Sequence, residues 1–224
     1  MKQLNKIRMV TGVLAVLLLS VFSIAAQTTI GDCTIHYGLT SDNNNRHLDS
    51  NITKNASKTL YVRGGMCLSV VNFNGFSQST IYNQNGDKAY VLYHLNDQDY
   101  MSVLTSKQWL AQYAKYKGMK VEYFKKDTKK ILGYKCIKAI ATLKDGTLIQ
   151  LYYTPELRTT VGDNPYEFEK IEGLILEYES QIGSKYKFTF TATSIDFSPV
   201  PASKFIIPKE GYRLLDPNQL RTEE

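Results

Sequence analysis

Apolar and polar residues alternate with a period of two along most of this chain, which is the pattern of half-buried β-strands. The clearest runs lie at 174–181 and 186–193, and their apolar positions are Leu174, Leu176, Tyr178, Tyr186, Phe188, Phe190 and Ala192. Shorter apolar or alternating runs predict further strands at 33–39, 60–63, 66–73, 80–82, 89–95, 100–104 and 121–124. The pattern therefore predicts a mainly β protein built from an antiparallel sheet.

Turn residues separate these runs, and they predict turns at 64–65, 85–87, 127–128 and 145–146. The last turn joins a run at 130–139 to one at 148–157 through Asp-Gly, which favours a two-residue hairpin loop. Such a loop would place Leu143 opposite Leu148 and Ile140 opposite Leu151. These pairs lie on opposite faces, so the hairpin would carry apolar groups on both. A sheet that curls around a groove, or that a helix covers, would have this pattern.

One helix is predicted in the mature chain, near 106–115. Ser106 is the expected N-cap, because its hydroxyl can accept a hydrogen bond from an amide of the first turn. Trp109, Leu110 and Tyr113 then lie on one apolar stripe. A single helix among many strands is expected to pack over one face of the sheet. The predicted class is therefore α+β, dominated by strands.

The first 26 residues have the composition of an export signal. Three basic residues precede an apolar run at 13–22, and cleavage is expected near Ala26. The remaining chain, 27–224, is predicted to form a single periplasmic or secreted domain with a loose tail from about 215. It carries 24 basic and 21 acidic residues, a net charge of +3. This charge gives weak electrostatic steering and argues against nucleic acid as a partner.

Three cysteines, Cys33, Cys67 and Cys136, follow the predicted signal. An oxidising compartment would allow one disulfide among them, worth about 2–4 kcal/mol. The sequence leaves open which pair would form, and equally whether all three are small buried hydrophobic residues that never pair. Their separations of 34 and 69 residues exclude a Cys-x-x-Cys redox or zinc motif.

Three blocks, at 131–136, 153–156 and 173–177, resemble the GLPGLI family in their order and spacing. That family comprises exported proteins of Bacteroidetes-type bacteria and is named for a Gly-Leu-Pro-Gly-Leu-Ile motif. Ile171-Glu172 stands here in place of the leading Gly-Leu-Pro, so the chain resembles that family or a close sister family. The resemblance implies a twisted antiparallel sheet curled as a half-barrel, similar to the LolA and LolB lipoprotein carriers. It carries over no catalytic residue.

The resemblance leads to a hypothesis about function. The protein would be a non-enzymatic cell-envelope protein that binds a lipid, a lipoprotein or another apolar ligand in the concave face of the sheet. The candidate groove residues are Leu151, Leu176, Tyr178, Phe188, Phe190 and Trp109. The same residues serve equally well as an ordinary core beneath the helix. The alternative function is a structural or protein-interaction module of the envelope without a small ligand.

Sequence motifs for catalysis and metal binding are missing. The chain has no Gly-x-Ser-x-Gly elbow, no His-Glu-x-x-His motif and no phosphate-binding glycine loop. No catalytic residue, metal or cofactor is therefore expected. Glu177 and Glu179 have the spacing of a carboxylate pair on one strand face, but alternation alone explains them as solvated residues. The three histidines, His36, His47 and His94, belong to different elements.

Lysines are concentrated between 115 and 138, with tyrosines interleaved. In an exported protein, anionic lipid headgroups or surface polysaccharide fit such a run better than nucleic acid does. A solvated turn region is the simpler interpretation, and contact with a membrane is expected to be peripheral.

Overall fold

A computed structural model describes residues 27–41, 56–73, 75–162, 168–182 and 186–217. The predicted signal peptide and His47 lie outside the described residues. The strands are β1 (Thr28–Ile30), β2 (Asp32–Ser41), β3 (Ser57–Arg63), β4 (Met66–Phe73), β5 (Phe76–Asn83), β6 (Lys88–Leu95), β7 (Gln98–Thr105), β8 (Lys120–Ile131), β9 (Tyr134–Thr142), β10 (Leu148–Thr154), β11 (Leu157–Thr159), β12 (Leu174–Ile182), β13 (Tyr186–Asp196) and β14 (Arg213–Leu214). The helices are α1 (Ser106–Gln112) and two short 3₁₀ turns, Ala114–Tyr116 and Ala202–Phe205. The prediction of a mainly β protein with one short helix is confirmed.

Twelve of the strands form one large sheet in the order β14-β7-β6-β5-β4-β3-β2-β13-β12-β10-β9-β8. Neighbouring strands are antiparallel throughout, except that β14 runs parallel to β7. Strands β14 and β8 lie at the two edges, so the sheet is open and not closed into a barrel. Strands β1 and β11 form a separate parallel pair.

The large sheet is strongly curved. Phe73 on β4 and Phe188 on β13 are three strand steps apart, which would be about 14 Å in a flat sheet. The centroids of their rings lie only 6.2 Å apart. Lys58 on β3 and Tyr178 on β12 are also separated by three steps, and the Lys58 Nζ donates to the Tyr178 hydroxyl at 2.6 Å. Side chains of this face converge, which makes it the concave face.

The main core lies on the concave face and is covered by other parts of the same chain. Ile35 and Leu60 of the sheet belong to one buried cluster with Ile30 of β1 and Leu157 of β11. Ile171, which precedes β12, joins the same cluster. The pair β1–β11 and the segment before β12 therefore cover this end of the concave face, where burial of apolar surface stabilises the fold.

Helix α1 covers a different part of the same face. Trp109 is the buried residue of the helix, and it packs with Ala89 and Val91 of β6 and Leu104 of β7. The expectation that the helix packs over one face of the sheet is confirmed. The core beneath it is separate from the main core.

The C-terminal segment covers the opposite, convex face. Val200 and Phe205 form a buried cluster with Leu68, Ile81 and Leu92, which alternate with the concave positions of their strands. Two hydrogen bonds also fix the segment at Val200. The Asp32 carboxylate accepts from its amide at 3.2 Å, and the Arg63 guanidinium donates to its carbonyl. Both faces of β4, β5 and β6 are therefore buried.

The predicted register of the β9–β10 hairpin is wrong by one residue. Leu148 pairs with Thr142, and Leu151 pairs with Ala139. The loop has three residues, because the amide of Leu143 donates to the Thr147 carbonyl at 2.9 Å and Gly146 takes a φ of +87°. A glycine in this conformation adds one residue to the loop as a bulge. Leu148 is consequently 58% exposed, while Leu151 is fully buried.

The predicted turn at 127–128 is also wrong. Strand β8 is continuous, and a register shift between Phe124 and Thr128 places residues 125–127 in a bulge. The turn lies instead at Leu132-Gly133, where both residues have positive φ, of 50° and 87°. This two-residue turn divides the run at 130–139 that the sequence predicts as one strand.

The helix N-cap is Thr105 and not Ser106 as predicted. The Thr105 hydroxyl accepts from the amide of Gln108, and the Gln108 side chain accepts from the amide of Thr105 at 2.9 Å. This reciprocal pair is a capping box, in which Thr is followed three residues later by Gln. The Thr-x-x-Gln spacing of a capping box is visible in the sequence at 105–108 and identifies Thr105 as the N-cap.

Candidate functional site

A cleft of about 350 Å³ lies on the concave face, next to the main core. One wall is the curved sheet, which contributes Tyr37, Lys58 and Tyr178. The facing wall is formed by residues of the segments 158–162 and 168–173, which precede β12. The cleft is therefore the part of the concave face that the covering segments leave unfilled. Its volume is within the range of small-molecule sites, roughly 300–1,000 Å³.

The covering wall is held by the N-terminal residues of the described chain. The amide of Thr28 donates to the Glu156 carbonyl at 2.8 Å, and the amide of Thr160 donates to the Ile30 carbonyl at 3.1 Å. The Gln27 side-chain amide donates to the carbonyls of Pro155 and Glu172, at 3.1 and 3.0 Å. These bonds join residues 27–30 to both ends of the segment that faces the sheet, and so they position the cleft wall.

Lys58 is the most unusual residue of the cleft, because it is a lysine with only 7% of its surface exposed. Its Nζ donates to the Tyr178 hydroxyl at 2.6 Å. The same Nζ lies 5.8, 5.1 and 5.7 Å from the ring centroids of Tyr37, Tyr178 and Phe190. Ring faces attract a cation, so these aromatic residues stabilise the buried ammonium group.

The tyrosines around Lys58 are themselves fixed. The Tyr37 hydroxyl donates to the Ile175 carbonyl at 3.0 Å, and the Tyr178 ring stacks on Phe190 with centroids 5.1 Å apart. The rings of Phe168 and Tyr178 form an edge-to-face pair with centroids 5.5 Å apart. The wall is therefore an ordered aromatic surface with a cation set into it.

The rest of the lining is mixed in polarity. Leu60, Ile171 and Leu174 are buried and apolar, whereas Arg158 and Glu169 are exposed and charged. Apolar surface for a ligand body beside a few polar groups is the usual composition of a binding site. The arrangement suits an amphipathic ligand.

Gly173 lets the cleft wall approach the sheet. A Cβ atom at this position would lie 2.2 Å from the Thr154 carbonyl oxygen and 2.8 Å from Tyr153 Cδ2. No side chain fits there, so only glycine allows β12 to begin against the end of β10. The requirement explains the glycine that opens the 173–177 block singled out in the sequence.

The structure buries all six predicted groove residues, but it does not assemble them into one groove. Leu151, Leu176, Tyr178 and Phe190 belong to the main core, and only Tyr178 also lines the cleft. Trp109 lies in the separate core under α1. Phe188 contacts Phe73. Sequence reasoning missed Lys58, although it alternates with Leu60 and Val62 on the buried face of β3.

The three cysteines are buried thiols in the structure, and no disulfide joins them within the described residues. Burial raises the pKa of the Cys33 thiol to about 11, and the nearby Asp32 carboxylate adds to the effect. Burial likewise raises the pKa of Cys136 to about 11. Both remain protonated near neutral pH, which makes them poor nucleophiles.

Two of the other candidate chemical groups, Glu177 and His94, are engaged in structural contacts. Glu177 forms an ion pair with Lys129 and accepts from the Thr191 hydroxyl at 3.0 Å. His94 pairs with Asp99 at 2.8 Å on the surface.

Within the described ranges, no group of three His, Cys, Asp or Glu side chains could hold a metal ion. The same part of the chain contains no helix long and apolar enough to span a membrane.

Comparison with solved structures finds distant similarity. The chain has 14% identity to PNGF-II at a TM-score of 0.47, and the match covers 83% of this chain and 31% of that one. This chain thus spans about a third of the length of PNGF-II. A LolA superfamily protein from Nitrosomonas europaea is 11% identical at a TM-score of 0.31, with 81% of this chain and 92% of that one covered. A DUF1329 family protein from Desulfovibrio piger is 12% identical at a TM-score of 0.36, with coverage of 79% and 90%.

No curated protein sequence is significantly similar to this chain. A protein family does match it, over residues 77–207. The matched region runs from β5 to the segment that covers the convex face, and it includes α1 and the wall that carries Gly173. It is more than half of the 224 residues. The chain belongs to the family described as N-glycanase peptide, N-terminal domain.

Proposed function

We propose that this chain is a non-enzymatic protein of the bacterial cell envelope, periplasmic or secreted, that binds an amphipathic ligand such as a lipid or a lipoprotein. The observation that supports it is the cleft of about 350 Å³ between the concave face and the segments that cover it. Its aromatic and aliphatic lining suits an acyl chain, and the exposed Arg158 adds positive charge for a polar head.

The size of the cleft is compatible with useful affinity. A contact with about ten methylene groups would supply roughly 8 kcal/mol of apolar transfer energy. Association costs several kcal/mol, so the net affinity would be modest and would depend on the polar end of the ligand. The ordered aromatic wall reduces the cost, because its side chains need little further ordering on binding.

We also propose that this chain performs no catalysis of its own. The raised thiol pKa values and the engagement of Glu177 by Lys129 support this proposal. Membership of the GLPGLI family stays a proposal, and Gly173 is the structural feature that favours it.

A cleft-blocking substitution tests the proposed site. Gln84 lines the cleft on an exposed turn, and its backbone amide donates to Gly65, so Gln84→Trp should fill the entrance without disturbing the fold. Lys209→Trp adds the same ring at an exposed position outside the cleft and is the matched control. Binding of a dansylated undecanoic acid is measured by fluorescence. We expect saturable binding by the wild type and the control, and at least tenfold weaker binding by Gln84→Trp. Equal binding by all three proteins would refute the proposed site.

A further inference from the structure

The β8–β9 hairpin forms one edge of the large sheet, and its tip is unusual in two ways. Leu132 occupies the first turn position with a φ of +50°, in the left-handed region that leucine disfavours. It is also 40% exposed, although it is a large apolar residue. A strained and exposed leucine is unfavourable for the isolated fold on both counts, and such strain often marks a functional contact.

Lysines surround this leucine. Lys130 and Lys135 are directly opposite each other in the strand pair that leads into the turn. Like charges at opposite positions of a hairpin destabilise it. Both side chains are exposed, and neither forms an ion pair within the part of the chain that the structure describes. The tip therefore combines an exposed apolar group with concentrated positive charge.

The charge is concentrated on the hairpin and not spread over the protein. Residues 120–142 contain seven lysines and two acidic residues, a net charge of +5, whereas 27–224 carries +3 in total. Lys129 and Lys138 are neutralised by Glu177 and Asp127. The lysines left without an ion pair among the described residues are Lys120, Lys125, Lys126, Lys130 and Lys135.

We propose that the tip of the β8–β9 hairpin docks on a membrane surface that contains anionic lipids. Leu132 enters the headgroup layer, and Lys130 and Lys135 lie against lipid phosphates on either side. Lysines and a bulge at a sheet edge also protect it from pairing with another chain, which accounts for Lys125 and Lys126. Edge protection does not account for an exposed leucine in a strained turn. The docking surface is separate from the cleft, none of whose lining residues belongs to this hairpin.

Substitutions at the tip separate docking from stability. Asparagine tolerates the left-handed region better than leucine, so Leu132→Asn should keep or raise the unfolding temperature while it removes the apolar contact. The double variant Lys130→Gln/Lys135→Gln removes a repulsive pair and should likewise not destabilise the fold. One control is Leu148→Asn, at the start of β10 and opposite the far end of β9. The other is Lys88→Gln/Lys209→Gln, which removes the same charge from exposed positions elsewhere.

The assay is co-sedimentation of the purified protein with phosphatidylglycerol–phosphatidylcholine vesicles or with phosphatidylcholine vesicles alone. We expect the wild type to bind only the anionic vesicles and to be released by salt. The double lysine variant should bind about 25-fold more weakly, at about fivefold per lysine. Leu132→Asn should bind about threefold more weakly or worse. Both controls should bind within about twofold of the wild type.

Two results would overturn the proposal. One is a wild-type protein that fails to bind phosphatidylglycerol vesicles. The other is a Leu132→Asn protein that binds the vesicles and soluble dextran sulfate as well as the wild type does, because a polyanion needs the lysines but not the leucine. The second result would assign the surface to an acidic polysaccharide.

Discussion

Replacing Gly173 with alanine tests how the cleft wall is fitted to the sheet. The new Cβ would lie 2.2 Å from the Thr154 carbonyl oxygen, and real Cβ atoms essentially never come within 3.0 Å of another heavy atom. The obstacle is a backbone atom, so a rotamer change cannot relieve it, and β12 must shift away from β10. Thr154 is fully buried and pairs with Leu174, so the movement disturbs the core.

The size of the effect follows from this geometry. Overpacked core sites usually cost about 1–3 kcal/mol, and a backbone clash belongs at the upper end. We therefore expect Gly173→Ala to lower the free energy of unfolding by about 3 kcal/mol. For a domain of this size, that loss corresponds to a fall of about 6–12 °C in the unfolding temperature. Thermal and urea unfolding followed by circular dichroism measure both quantities.

Gly31→Ala is the matched control, because no heavy atom lies within 4 Å of the Cβ position at Gly31 and its φ is outside the left-handed region. We expect its stability to stay within about 0.5 kcal/mol of the wild type or to rise slightly. A Gly173→Ala protein as stable as Gly31→Ala would refute the reasoning, since it would mean that β12 does not approach β10 as closely as described.

Three further predictions concern separate parts of the molecule. Thr105→Ala should lower the free energy of unfolding by about 1 kcal/mol because it removes the N-cap of α1, whereas Ser106→Ala should lower it by less than about 0.5 kcal/mol. If urea unfolding shows the larger loss for Ser106→Ala, Ser106 is the N-cap. Trp109→Ala should lower the free energy of unfolding by about 3–5 kcal/mol, because Trp109 is only 1% exposed. Leu214→Ala, at a site 73% exposed, should change it by less than about 0.5 kcal/mol. Similar unfolding temperatures for the two variants would contradict the packing of Trp109 under α1. Hydrogen bonds from Thr147 lower the pKa of Asp145 below its ordinary 3.8, so the stability that this carboxylate contributes is present above that value and is lost as the pH falls below it. Asp145→Asn should therefore reduce the loss of stability between about pH 4 and lower pH in an acid-unfolding experiment. An unchanged curve would show that the Asp145 carboxylate does not contribute to acid stability.

Local sequence patterns predicted the strands well. The run with Phe188, Phe190 and Ala192 is an alternating strand with these residues buried, and a turn at 64–65 joins β3 to β4. Both depend on residues close together in the sequence. The errors were also local: Gly146 adds one residue to a loop that Asp-Gly predicts to have two, and residues 125–127 form a bulge where a turn was expected. A polar residue in an edge strand and one in a turn give the same sequence signal.

The cleft could not be predicted from the sequence in the same way. Its outer wall includes residues 158–162, which have no regular periodicity. The amide of Thr160 in this segment donates to the carbonyl of Ile30 in β1, more than 120 residues earlier in the chain. Lys58 and Tyr178 are 120 residues apart and meet only because the sheet curves. The six predicted groove residues are apolar, and a concave face that is covered by its own chain uses such residues as core. The polar residue Lys58, at a position where alternation requires an apolar one, was the available signal.

A native mass spectrum of the protein, purified from a bacterial envelope without detergent, tests the central claim most directly. The proposal predicts a mass excess of several hundred daltons that organic extraction removes, and the same excess should be absent from Gln84→Trp. Finding the bare polypeptide mass for the wild type would contradict a resident ligand in the cleft and would favour a structural or protein-interaction module.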